Sequence, residues 1–97
     1  FADVDLIVTP TCMVLPDTIE NVLAGKSLPS DLPLLRNTLP CNVLGIPSIS
    51  VPCGFSAAGL PIGLMISGPP LGEGQVLALA HAYQLATGWS ARRPPIG

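Results

Sequence analysis

The sequence predicts a mixed α/β fold in the order strand, loop, short helix, β-hairpin, long helix. Three observations lead there. "DVDLIVTPT" holds a continuous apolar run, Leu6-Ile7-Val8, that closes on a proline. "SISVPCGF" and "LPIGLMIS" are strand-like runs joined by the small residues "SAAG". "GEGQVLALAHAYQLATG" sets Val76, Leu79, Ala80 and Tyr83 at i, i+3, i+4 and i+7, one face of a helix.

Taken in order, the first run is continuous rather than alternating, the pattern of a strand covered on both faces. Pro10 cannot donate to a ladder, so the strand is expected to end at Thr9 and Pro10 and release a loop. Strand ends of this kind face ligand crevices in open α/β sheets. Residues 11–31 read as loop around a short helix from Thr18 to Leu23, capped by Asp17 or Thr18 and closed near Gly25. Leu34 to Leu44 allows one or two helical turns, bent or interrupted at Pro40, with Gly45 as the stop and Pro47 beyond it. In the hairpin, Pro52 and Pro61 suggest edge positions or bulges. The long helix has Glu73 in its first turn, where the helix dipole favours an anion, and Gly88 at its C-terminal end. Alanines on its other face suggest that this face is also covered. After Trp89 the tail "SARRPPIG" turns polar and is expected on the surface.

Composition says how such a unit is used. The chain has 97 residues, the size of one small domain, and only 10% of them are charged, against roughly 25% in a typical globular protein. No charge falls between Arg36 and Glu73. Mean hydropathy is +0.59. Folded alone, such a chain would expose a large apolar patch, which marks a covered interface. The expectation is therefore a single partial domain over residues 1–97, a piece of a larger one. Gly 10 and Pro 12 approach low-complexity composition, but 48% hydrophobic residues argue against disorder.

Function classes fall away on the same grounds. Lys26, Arg36, Arg92 and Arg93 are the only basic residues and net charge is -2, so no basic patch exists for a nucleic acid. Prolines 40, 47, 52, 61 and 69 interrupt every apolar run before it could span a membrane. Phe1 opens the chain without the layout of a signal peptide. Cys12, Cys41 and Cys53 match no zinc or redox spacing and read as reduced, cytoplasmic thiols. Neither a metal nor a cofactor is expected.

No catalyst is visible. Lys26, the one lysine, sits in an exposed-looking loop, "GKSLPSD". His81, the one histidine, lies between Ala80 and Ala82 in the long helix and reads as a surface or packing residue. Asp3, Asp5, Asp17, Glu20, Asp31 and Glu73 are scattered, and solvation or capping accounts for them. G-x-S-x-G, Walker A and H-E-x-x-H motifs do not occur.

"DVDLIVTPT", "TLPCNVLGIPSISVPCGFSAAGLPIGLMISGP", "AHAYQLATGW" and "RRPP", in that order, resemble the C-terminal end of the amidase signature family. The most specific part is N-x-x-G-x-P-x-x-S-x-P-x-G followed by G-L-P-x-G, here running from Asn42 through Ser50 and Gly54 to Gly63. The loop from Pro16 to Leu34 is the least similar part. The resemblance implies a mixed central β-sheet covered by helices, and hydrolysis of an amide by a serine nucleophile, a second serine and a lysine base. Those three residues belong to sequence upstream of the part matched here, so no catalytic residue is assigned within this chain. By position, the resemblance nominates Thr11, Cys12 and Met13, with Leu35, Asn37 and Thr38, as the acyl side of the substrate pocket. Apolar Met13 and Leu35 would favour an uncharged acyl group. It also implies partners, the remainder of the amidase domain and a small amide substrate; for the chain as a fragment, self-association is another cover for the apolar hairpin. Two other roles stay open, an A-type subunit of a glutamyl- or aspartyl-tRNA amidotransferase and a non-catalytic packing fragment. Some glutamine-specific members place an acid near the Leu35 position, and its absence weighs mildly against a glutaminase role.

Overall fold

The computed structural model describes residues 1–27 and 32–96, with Leu32 described by its backbone alone. The expected loop at 28–31, with Ser30 and Asp31, and Gly97 lie outside the described residues.

Strand β1 (Ile7–Pro10) leads through a bent segment to helix α1 (Ile19–Leu23). Both expected capping residues are used. Thr18 Oγ1 accepts the Asn21 amide at 3.1 Å, the role of an N-cap hydroxyl. The Asp17 carboxylate accepts from Asn21 Nδ2 at 2.8 Å, from the Thr18 amide at 2.7 Å and from Ser27 Oγ at 3.0 Å. These donors, the Asn21 side chain foremost, lower its pKa below the ordinary 3.8. A depressed carboxylate pKa stabilises the folded loop fully above 3.8, and the effect is lost as pH falls through the lower, folded value. Followed from about pH 6 to about pH 2, the Thr18 amide proton shift should therefore titrate with a midpoint below 3.8. A midpoint at or above that value would show that the three-donor knot does not hold in solution.

Helices α2 (Leu32–Leu35) and α3 (Leu39–Leu44) correct one expectation. The interruption falls over residues 36–38, ahead of Pro40, and Pro40 lies in the first turn of α3. There its missing N–H has no intrahelical acceptor to lose, so the proline starts a helix instead of bending one. Gly45 ends α3 at φ 64°, as its place in the sequence suggests.

Strands β2 (Ser48–Phe55) and β3 (Pro61–Ser67) form the hairpin, and β1 adds to its other side, giving an antiparallel sheet of order β1-β3-β2. Pro52 sits at a β-bulge between Pro52 and Gly54. Pro61 opens β3, a position that needs no ladder donor on its first residue. β1 ends at Pro10, where the proline is expected to stop it. The Thr11 amide donates to the Gly63 carbonyl at 2.9 Å, which makes Pro10–Leu64 a non-hydrogen-bonded pair. The nitrogen of Pro10 thus points away from β3, and the proline costs the ladder nothing.

The register divides the sheet into unlike faces. Ile49, Val51, Leu64 and Ile66 share one face and pack under helix α4 (Glu73–Thr87), whose Val76 and Ala80 are buried and whose Tyr83 is half-buried. Leu79, expected on that stripe, lies at its margin and is 39% exposed. Ser48, Ser50, Ser67 and Thr9 line the opposite face, where Ser48 Oγ donates to Ser67 Oγ at 2.8 Å. Thr9 Oγ1 is buried there without a hydrogen-bond partner among the described residues. Trp89, in a short 3-10 turn (Trp89–Ala91), packs on Phe55 with ring centroids 6.0 Å apart, and the Arg92 guanidinium lies 3.9 Å from the same ring. The exposed tail is thereby tied to the end of β2.

Little of this surface is closed. The buried apolar side chains among those described are Val51, Met65, Ile66, Val76 and Ala80. Accessible surface is 7029 Å², against roughly 5200 Å² for a compact monomer of this mass. The radius of gyration is 15.4 Å, against about 12.5 Å for a compact domain of this length. Ile7 and Val8 of β1 are 43% and 48% exposed, so the two-sided cover that their continuous hydrophobicity calls for does not come from the described residues.

Candidate substrate-facing cleft

Where β1 ends, the chain turns away from the sheet and leaves a cleft of about 520 Å³. Its wall is the bent segment from Thr11 to Pro16, faced by Leu34 of α2 and by Ile62. Its floor is Thr11, Gly63 and Ser50. The wall is apolar because Met13, Val14, Leu15 and Pro16 follow one another, while the floor carries two hydroxyls. Thr11 Oγ1 and Ser50 Oγ are 2.6 Å apart, within hydrogen-bond distance across 39 positions of sequence.

Each nominated residue has a definite place. Thr11, Cys12 and Met13 line the cleft. Asn37 donates through Nδ2 to the Pro10 carbonyl at 2.8 Å. That carbonyl faces away from β3, so the side chain of Asn37 satisfies the outer edge of β1 and ties the segment before α3 to the strand end. Thr38 shares a shallower recess with Thr11, Cys41 and Ser50, and its hydroxyl donates to the Leu35 carbonyl at 3.2 Å. Leu34, rather than Leu35, lines the main cleft, and Leu35 is 48% exposed. Arg36 Nη1 contacts Met13 Sδ at 3.5 Å, bringing a positive charge to the rim.

Ser50, Gly63 and Ile62 are members of the site that position in the sequence did not nominate. The signal for Ser50 was the alternation Ser48-Ile49-Ser50-Val51, which sends both serines to one face.

Chemically the cleft can desolvate an uncharged chain against its walls and offer hydroxyls below it. The described residues lining it include no lysine, histidine or carboxylate to activate a nucleophile. Cys12 on its wall is a free, exposed thiol. His81 is on an exposed face of α4. Among the described residues no group of side chains is placed to hold a metal ion, and no helix is long and apolar enough to cross a membrane.

The model of the family described as Amidase matches residues 1–77. The A-type subunit of glutamyl-tRNA(Gln) amidotransferase from Synechococcus elongatus is 43% identical over 99 residues, covering 99% of this chain and 20% of the relative. The protein of that name from Synechococcus sp. (strain JA-2-3B'a(2-13)) is 44% identical over 98 residues, covering 100% of this chain and 18% of the relative. Among solved structures, 6-aminohexanoate cyclic dimer hydrolase complexed with substrate superposes with a TM-score of 0.81 at 35% identity, over 94% of this chain and 21% of that one. The chain thus spans about a fifth of the length of the relatives it matches.

Proposed function

The chain belongs to the amidase family, and from that premise we propose that it is the C-terminal, substrate-facing part of a domain that hydrolyses a carboxamide to carboxylate and ammonia. The family match over residues 1–77 carries this reading. In this reading the chain supplies walls and floor of the cleft, and the serine nucleophile, second serine and lysine base come from sequence preceding it. The remainder of the amidase domain is the partner that covers the sheet. Leu23 and Leu71, exposed at 82% and 93%, are among the side chains left for it. A cytoplasmic location accords with three free thiols.

Ammonia release tests this. The full-length protein is expected to liberate ammonia and carboxylate in equal amounts from simple aliphatic or aryl amides, and a serine-directed fluorophosphonate should stop it. The 97-residue chain alone is expected to release none. Turnover by the isolated chain, or no turnover by the full-length protein across such amides, rejects the reading.

A second reading is favoured by the relatives named as amidotransferase subunits. In it the ammonia drawn from an amide passes to an aminoacyl-tRNA, and the chain works within a complex. Co-purification with partner subunits and a requirement for glutamine distinguish it from a free-standing hydrolase. Leu35, near whose position some glutamine-specific members carry an acid, weighs mildly against it.

A further inference from the structure

We propose that the Thr11–Ser50 hydroxyl pair is the specificity-determining polar contact of the cleft, donating one hydrogen bond to an oxygen acceptor on the acyl part of the amide. This rests on the amide-hydrolase reading above and names the substrate feature that the site selects.

The pair is built across the sheet. Thr11 follows β1 and Ser50 lies on β2, on opposite sides of the central strand. Neighbouring strands run about 4.8 Å apart, so two outer strands are separated by roughly 10 Å. The hydroxyls nonetheless approach to 2.6 Å, leaning over Gly63. A Cβ at residue 63 would stand 2.6 Å from Ser50 Oγ and 2.8 Å from Thr11 Oγ1. Glycine there leaves room for the bridge.

Hydroxyl arithmetic then says what is left over. Two hydroxyls hold two protons and four lone pairs, and their mutual bond uses one of each. One O–H remains, and both oxygens belong to the floor of the cleft. On the cleft side they are faced by Met13, Val14, Leu15, Leu34, Pro61 and Ile62, whose side chains offer no oxygen or nitrogen. Thr38, Asn42 and Ser48 of the recess beyond make no hydrogen bond to either hydroxyl. Once a substrate displaces water, the free proton needs an acceptor, and an unsatisfied donor is the costlier omission. A chain carrying an ether, carbonyl or hydroxyl oxygen satisfies it, whereas a plain alkyl chain leaves it orphaned.

The test uses the full-length enzyme with pentanamide and 3-methoxypropanamide, chains of equal length that differ by one oxygen. Wild type is expected to favour the ether amide in kcat/KM by about tenfold, the span of one neutral hydrogen bond. Either single variant leaves one O–H in the cleft, so the double variant Thr11→Val with Ser50→Ala, which removes both, should erase that preference by raising KM for the ether amide. Thr11→Ser, which keeps the hydroxyl, should retain it. Equal losses on both amides, or a lower Tm with the preference intact, would make the pair a strand tie alone and overturn the proposal. So would an active wild type with no preference. An enzyme that hydrolyses no carboxamide at all instead removes the hydrolase reading, and the two failures are told apart by ammonia release.

Discussion

Ile66→Ala is expected to lower the unfolding free energy of the full-length protein by about 2–5 kcal/mol, the range for truncating a buried isoleucine. Ile66 is 1% exposed and shares its sheet face with Val51 beneath Val76 and Ala80 of α4. It sits on the central strand, paired with Val8 on one side and Ile49 on the other. Hydrogen bonds on both edges prevent β3 from sliding to fill the hole, so the cavity should persist and the loss lie well inside that range. Ile62, on the same strand but 38% exposed, provides the contrast. Its truncation should cost less than about 1 kcal/mol, because solvent already reaches it. Denaturant melts of both variants measure the difference, and equal losses would mean that Ile66 is not the centre of this core.

The second large effect is expected from adding a single carbon. A Cβ on Gly68 would lie 2.7 Å from Val76 Cγ2, 3.2 Å from Leu6 Cδ2 and 3.4 Å from the Gly72 carbonyl oxygen. Val76 is 3% exposed and held between the sheet and its own helix, so it has nowhere to withdraw. Gly68→Ala should therefore destabilise by about 1–3 kcal/mol, the cost of overpacking. The amide of Gly68 also donates to the Pro47 carbonyl at 3.0 Å, which pins the backbone at the point of collision. Gly74, in α4, meets nothing within 4 Å. There the same substitution should be neutral or slightly stabilising, since alanine is the better helix residue. A Gly68→Ala protein as stable as Gly74→Ala would show that α4 is free to lift from the sheet.

Features written in a few consecutive residues were legible in advance. Asp17 and Thr18 at the start of α1, Gly45 at the end of α3 and Gly88 at the end of α4 each satisfy backbone groups of their own turn, and Glu73 lies in the first turn of α4. The hairpin was readable because its strands are joined by only a few small residues. What failed depended on distant partners. Pro40 could break a helix or begin one, and the choice was made by where the chain resumes after residues 36–38. Nothing local tells β1 to pair with β3. From that pairing follow the harmless place of Pro10, the two unlike faces and the meeting of Thr11 with Ser50. Resemblance nominates Thr11, Cys12 and Met13, which line the cleft. Its other members, Ser50, Gly63 and Leu34, arrive through register and through the turn between α2 and α3.

The sheet order also has a consequence for synthesis. β1 and β2 lie on opposite sides of β3, and β3 is the last of the three to be made. Pro10 pairs with Leu64, so at roughly 5–20 residues per second β1 waits about 3–10 s for its partner to leave the ribosome. Throughout that interval one edge of an apolar strand has no ladder on this side, an opening for a chaperone or for a neighbouring nascent chain. A stop codon between Gly59 and Pro61 would leave β1 and β2 without the strand that joins them, so truncation there should abolish this three-stranded sheet outright instead of shortening it.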